Sequence, residues 1–146
     1  MAEPSREEED EDFSLQKARV SNNPINRMLG VTLEELRPGY ARCHLQASER
    51  NRGGVHGSVH GGILAFLIDV VMLAAVMTII EPGDRASGTA ELNVSYQRPA
   101  LGPTVVAEAR ILRKGRVLVV GDVEISDTNG KLLAKGRVGY ALRPET

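Results

Sequence analysis

His60-Gly61-Gly62 opens a run of 21 residues ending at Ile80 that is apolar almost throughout, and Asp69 is the one acid inside it. Glycines at a helix start leave backbone N–H groups open to a ligand, with the positive end of the helix dipole behind them. Such donors stabilise an oxyanion or polarise a carbonyl. A carboxylate is the matching general base or nucleophile. Asp69 follows His60 by nine residues, two and a half turns and about 13 Å along a helix. The two groups therefore cannot serve one reacting carbonyl within a single chain; a second copy could bring its own Asp69, or the acid could simply cap a loop or pair with an arginine.

The elements that must position these groups follow from the surrounding pattern. Ile63 to Ile80 is long enough to be tested as a membrane span. A central acid is expensive in lipid, no Lys or Arg flanks either end closely, and the rest of the chain reads as strands that need a core. The run is therefore expected to be a buried helix of about 30 Å. A short helix over about Phe13 to Val20 precedes a strand near Val31 to Arg37. Pro38-Gly39 turns into a second strand in which Ala41, Cys43, Leu45 and Ala47 alternate with Tyr40, Arg42, His44 and Gln46. After the helix, Glu81-Pro82-Gly83-Asp84 makes a loop. Ala90, Leu92, Val94 and Tyr96 then alternate with Thr89, Glu91, Asn93 and Ser95. Two further strands carry Val105 to Ile111 and Val117 to Ile125, joined at Lys114-Gly115-Arg116. Asp127-Thr128-Asn129-Gly130 is a hairpin signal before the last strand, Leu132 to Leu142. This order is an α+β domain whose antiparallel sheet of five to six strands wraps one long central helix. Its open edges make pairing with a second copy an expectation.

Composition bounds the rest. The chain of 146 residues fits one domain. Aromatics make up 3% and Trp is absent, so the core is aliphatic and any buried ligand meets aliphatic walls. One cysteine, Cys43, excludes an internal disulfide and agrees with a reducing, cytoplasmic compartment. Residues 1–12 hold seven acids and one base, and this acidic tail is expected to be disordered, without the character of a secretory leader. Net −6 there against −1 overall leaves +5 on residues 13–146, the folded domain. A mildly basic body suits an anionic small molecule, whereas the scattering of its bases through the strands argues against a nucleic-acid partner.

Gly57-x-x-His60-Gly61-Gly62, Asp69 nine residues after His60, and Thr89 before Glu91-Leu-Asn-Val-Ser-Tyr-Gln-Arg-Pro-Ala100 resemble the hotdog-fold acyl-CoA thioesterases of the phenylacetate-pathway type. The likeness runs from about Pro24-x-x-x-Met28-Leu29-Gly30 to the final strand. It implies hydrolysis of an acyl-CoA thioester, with a medium-chain or aryl acyl group, at a site shared between two subunits, without metal or organic cofactor. The assembly implied is a dimer or a dimer of dimers. By the same resemblance Gly61 N–H polarises the carbonyl, with Gly62 beside it, and Asp69 of the opposing subunit is the base or nucleophile. His60 holds the loop, and Thr89, or Ser87 nearby, orients the acid or the water. The family places an Asn six residues before the His. Here Gly54 stands there and Asn51 lies nine before, as though the loop carries three extra residues; Asn51 is the candidate to hold the water if the loop bulges, and His56 takes over part of that role otherwise. Arg113, Lys114, Gly115 and Arg116 form a basic hairpin suited to the phosphates of coenzyme A.

Other chemistries fit these residues less well. His56 and His60 are spaced for a helical metal site, but Gly57 and Gly61 oppose that helix. Ser58 lacks the flanking glycines of a nucleophile elbow. Cys43 alternates inward as core. A non-catalytic acyl-CoA-binding module of the same fold is the alternative function.

Overall fold

The structure, a computed structural model, describes residues 13–144; the acidic tail 1–12 and its expected disorder lie outside the described residues. Asn23 and Pro24 decide how the chain enters the fold. Helix α1 (Ser14–Asn22) stops at Asn23, whose side chain accepts the Ile25 N–H at 3.1 Å and so caps a second helix, α2 (Pro24–Leu29). Proline takes the first helical position of α2, where its missing N–H costs nothing, and Gly30 closes it at φ 79°. The sequence reading expected one helix here; Asn-Pro followed six residues later by Gly is the signal of the second.

Six strands follow: β1 (Val31–Arg37), β2 (Tyr40–Gln46), β3 (Asp84–Tyr96), β4 (Thr104–Lys114), β5 (Leu118–Ser126) and β6 (Leu132–Pro144). They form one antiparallel sheet in the order β1-β2-β4-β5-β6-β3. Between β2 and β3 runs the long helix α3 (Gly61–Met77), on the concave side. Its Leu64, Leu67, Ile68, Val71, Met72 and Ala75 are buried against Ala41, Cys43, Leu45, Ala107, Ala109, Val123 and Val138 of the sheet. Burial also pushes the Cys43 thiol up to about 12, with the charge of Glu34 adding to it. The expected α+β wrap with its central helix is the observed architecture.

The convex face carries charge instead. Arg42 stands opposite Glu108, Arg110 opposite Asp122, Asp122 opposite Arg137 and Glu124 opposite Lys135. Exposed pairs of this kind contribute little to stability, but they keep the outer face wet. Tyr40 departs from the simple alternation, because it is buried on this polar side. Its ring lies between the guanidinium groups of Arg37 and Arg110, at 4.1 and 4.8 Å, and its hydroxyl donates to Glu108 at 2.6 Å.

Helix α3 is shorter than the apolar run. It ends at Met77, and the Thr78 hydroxyl both donates to the Ala75 carbonyl at 2.6 Å and accepts the Gly39 N–H at 2.8 Å. Ile79 and Ile80 continue into the Glu81-Pro82-Gly83 turn, because the residue before a proline avoids helical geometry.

Two strand glycines let the helix approach the sheet. A Cβ at Gly136 would lie 3.0 Å from Ile68 Cγ2 and 3.2 Å from the Asn93 carbonyl; at Gly121 it would meet Met72 Sδ at 2.6 Å. Glycine inside a strand commonly marks such close approach. Gly136→Ala is therefore expected to lower stability by about 1–3 kcal/mol through overpacking, seen as a lower urea midpoint at unchanged slope.

Candidate active site

His60 sets the helix start. As N-cap of α3 it turns its ring back so that Nδ1 accepts the Gly62 N–H at 2.9 Å, while its carbonyl accepts from Ile63 and Leu64. The cap spends the Gly62 donor and leaves the Gly61 N–H at the head of the helix dipole. A Cβ at position 62 would sit 3.0 Å from that ring nitrogen, which is why glycine stands there. The Gly61 carbonyl accepts from Tyr96 Oη at 2.7 Å, so the peptide carrying the donor series is tied to the end of β3.

Asp69 lies half-buried further along the same helix, and Thr89 Oγ1 donates to its Oδ1 at 2.5 Å. Thr89 reaches the helix because β3 is irregular. Register shifts fall between Ala86 and Gly88 and between Thr89 and Glu91, so Ser87 and Ala90 are extra residues against β6. Simple alternation places Thr89 with Glu91 and Asn93. The second bulge instead turns Thr89 inward with Leu92 and leaves Glu91 outward, the re-aiming that bulges perform. No hydrogen bond joins Ser87 to Asp69.

Helix α3 is apolar on two sides. Opposite the sheet-facing stripe, Phe66, Asp69, Val70, Leu73 and Met77 form a second one, with Leu73 and Met77 exposed. Helices α1 and α2 lie over it through Val20, Ile25 and Asn26, leaving a cleft of about 370 Å³ that is partly open to solvent, with Asp69 on its wall and Gln16, Arg19 and Asn23 at its α1 side. A carboxylate held by one hydroxyl therefore borders a mainly apolar cleft, which Arg19 also lines. Eight residues earlier, about 12 Å away, a free N–H waits at the helix head.

Comparison with known proteins places this arrangement. Residues 56–134 match the family model of the Thioesterase superfamily. The chain belongs to that superfamily. It is 31% identical over 124 residues to human acyl-coenzyme A thioesterase 13, covering 83% of this chain and 86% of the relative. The medium/long-chain acyl-CoA thioesterase YigI of Escherichia coli is 29% identical over 134 residues, with 83% and 86% covered. Among solved structures, zebrafish thioesterase superfamily member 2 superposes with a TM-score of 0.76 at 28% identity, covering 90% of this chain and 97% of that one. The E. coli PaaI protein of the phenylacetic acid degradation operon shares the fold, with a TM-score of 0.78 at 23% identity over 92% and 96% of the two chains. The hotdog resemblance drawn from the glycine-rich helix start therefore holds, and the chain is a thioester hydrolase.

The loop that departs from the family spacing is anchored in this thioesterase by Asn51. Its side chain is fully buried, donating to the Leu29 and Gln46 carbonyls at 3.0 and 2.8 Å and accepting the Ser48 N–H at 2.9 Å, while its own carbonyl accepts the His60 N–H at 2.8 Å. The amide is thus spent on tying α2, β2 and the helix cap together. The extra residues bulge outward as a 3₁₀ turn, Val55–Gly57, with His56 exposed at φ 55° and Arg52 donating to the Gly57 carbonyl. Ser58 is buried beneath them.

In the basic hairpin Gly115 N–H bonds the Leu118 carbonyl at 2.8 Å, and Lys114 is held by Asp84 at 2.8 Å with Glu81 at 3.8 Å. Arg113 and Arg116 are exposed. Among the described residues no cluster of three His, Cys, Asp or Glu could hold a metal, and no helix is long and apolar enough to cross a membrane.

Gly61 is the first helical residue of α3, a position where proline is well tolerated, and a Cβ there meets Tyr96 only at an ordinary 3.5 Å. Gly61→Pro, which deletes the N–H without breaking the helix, is expected to lower kcat about 10²–10³-fold. Gly61→Ala keeps the donor and serves as the control, with circular dichroism and melting temperature reporting the fold of both.

Proposed function

We propose that the protein hydrolyses acyl-CoA thioesters at two sites, each made from Gly61 of one chain and Asp69 of another. The observation that carries this reading is the Thr89-held carboxylate of Asp69 at the wall of a mainly apolar cleft, about 12 Å along the same helix from the free donor of Gly61. Within one chain the two are too far apart to act on one carbonyl.

Edge strand β3 supports a way to join them. It has β6 on one side only, is 13 residues long and is largely exposed. It also touches both half-sites, since Thr89 holds Asp69 and Tyr96 holds Gly61. These anchors are seven residues, or about 23 Å, apart. Antiparallel pairing of two β3 edges about a two-fold axis near Leu92 and Asn93 sets Thr89 of each chain opposite Tyr96 of the other. Each Asp69 then faces a partner helix head across paired strands, and an exposed edge is covered.

In this site the Gly61 N–H polarises the thioester carbonyl. Asp69 takes a proton from water as its oxygen adds to the carbonyl carbon, the tetrahedral oxyanion forms at the Gly61 donor, and the C–S bond then breaks to release CoA thiolate and the acid. Direct attack by the carboxylate would instead pass through a mixed anhydride that water opens, and a single turnover in ¹⁸O-water distinguishes the two by label retained in Asp69. Asn51 is a tether of the cap and His60 the capping residue in this reading. Arg113 and Arg116 offer their charge to the CoA phosphates, since their hairpin lies beyond the Thr89–Tyr140–Val119 row at the Asp69 end of β3. Lys114 is occupied by Asp84.

The cleft favours a medium-chain aliphatic acyl group. Val20, Ile25, Leu36, Val70, Leu73 and Met77 line it and Phe66 is the one aromatic. The name of the E. coli relative, a medium/long-chain acyl-CoA thioesterase, points the same way. A cytoplasmic location accords with one buried, unpaired cysteine.

Release of free thiol from a panel of straight-chain and aryl CoA esters is expected to peak at medium chains, and Asp69→Asn to lose at least about 10²-fold in kcat with its fold intact. Saturable CoA-ester binding without turnover would make the protein a binding module instead. Light scattering is expected to show at least a dimer. In hybrids of Asp69→Asn chains with Gly61→Pro chains one intact site per dimer is regenerated; hybrids as inactive as either parent would remove the shared site.

A further inference from the structure

Two glycines in succession make a poor mounting for a hydrogen-bond donor. Gly61 is the first helical residue of α3 and Gly62 follows it, so neither backbone has a side chain to restrict it, and the first N–H groups of a helix have no intrahelical acceptor. A donor of this kind lowers a barrier when it is already aimed at the place where charge develops. The direction of the Gly61 N–H is set by the two peptides that flank Gly61. The peptide before it is held by its own carbonyl, that of His60, which accepts from Ile63 at 2.9 Å and from Leu64 at 3.2 Å. The peptide after it is held at both ends, its N–H by His60 Nδ1 at 2.9 Å and its carbonyl by Tyr96 Oη at 2.7 Å. Every one of these partners except Tyr96 belongs to the cap or to the helix itself.

Tyr96 comes from another element, 35 residues further along the chain, and its base is firm. It is the last residue of β3 and stands opposite Ala134 of β6. Directly after it, the Gln97 and Arg98 N–H groups both bond the Leu133 carbonyl, at 2.8 and 3.1 Å, and the Arg98 guanidinium donates to the Leu132 carbonyl at 2.9 Å. The ring also lies against Gly61: a Cβ there would stand 3.5 Å from its Cε1 and Cζ and 3.6 Å from its hydroxyl oxygen. Yet the residue is 52% exposed, so burial in the core is not what holds the ring over the helix head. The Gly61 carbonyl is the polar group that its hydroxyl bonds.

We infer that Tyr96 is a positioning residue for the reaction: by holding the Gly61 carbonyl to the end of β3 it fixes the peptide after Gly61, and with it the direction of the Gly61 N–H. The route runs from the Leu133 carbonyl through the backbone of residues 96–98 to the Tyr96 ring, and from Tyr96 Oη to the Gly61 carbonyl. Tyr96 touches no reacting atom in this scheme and acts through Gly61 alone. Its kinetic effect rests on the donor role proposed for Gly61, whereas the tether is a property of the folded chain.

Tyr96→Phe keeps the ring and deletes the hydroxyl, and the loss of one hydroxyl from a half-exposed ring is expected to leave the melting temperature close to that of the wild type. Gly53–Gly54 and Gly61–Gly62 are the two glycine–glycine peptides of the sequence. Glycine labelled with ¹³C at the carbonyl and with ¹⁵N therefore gives two carbonyl-to-amide NMR correlations, the first an internal control. The substitution is expected to move the Gly61 carbonyl resonance while that of Gly53 stays in place, and to speed exchange of the Gly62 N–H at least about tenfold. An unmoved Gly61 carbonyl, or Gly62 exchange at the wild-type rate, overturns the tether whether or not the protein turns over any thioester. In the kinetic arm, Tyr96→Phe is expected to lower kcat of medium-chain acyl-CoA hydrolysis about tenfold with KM unchanged, and to have no further effect in a Gly61→Pro background, where the donor is gone. An unchanged kcat, an equal fall with and without the Gly61 N–H, or a fall that tracks loss of assembly in light scattering refutes the route through Gly61. Inactivity of the wild type itself would count against the thioesterase reading while the NMR result still decides the tether.

Discussion

A helix with two apolar stripes needs cover on two sides, and the rest of this molecule follows from that constraint. The sheet covers one stripe of α3 so closely that Gly121 and Gly136 stand where larger residues would collide with Met72 and Ile68. The second stripe cannot be packed by the same sheet. Helices α1 and α2 lie over it without filling it, and the space left between them is the cleft. Asp69 belongs to that second stripe, which is why a carboxylate can lie within an apolar run without being buried in the core: it faces a cleft and a threonine hydroxyl.

In the proposed site the helix also joins two chemistries that need opposite surroundings. Its head needs open donors, and the cap by His60 consumes the second glycine's N–H while sparing the first. Its middle needs a carboxylate kept in one orientation. Strand β3 serves both ends, with Tyr96 fastening the head and Thr89 the acid. One edge strand therefore sets the spacing of the two proposed half-sites, since it contacts both Asp69 and Gly61.

Much of this was legible in the sequence because it depends on local pattern. The long helix, the alternating strands, the hairpin at Asp127 to Gly130 and the glycine-rich start of α3 all follow from spacing over a few residues. The features that escaped depend on contacts between distant segments. Alternation put Thr89 on the polar side of β3, since a bulge exists only relative to the partner strand. Asn51 read as a candidate to hold the water, and its burial against Leu29 and Gln46 could not be seen without the fold. Lys114 read as a free base until the chain brought Asp84 to it. The second N-terminal helix is a different case: Asn23, Pro24 and Gly30 announced it, and the pattern was there to be read.

The anchoring of Asn51 bears on how much of the loop before α3 can change without moving the helix head. Its carbonyl holds the His60 N–H while the Gly53 and Gly54 N–H groups bond the Ser58 carbonyl, so the segment between is closed off at its neck. The protruding turn beyond that neck, with Val55 and His56 at its tip, is mechanically uncoupled from the helix head. Lengthening or shortening the tip in this chain is therefore expected to leave the Gly61 N–H in its place.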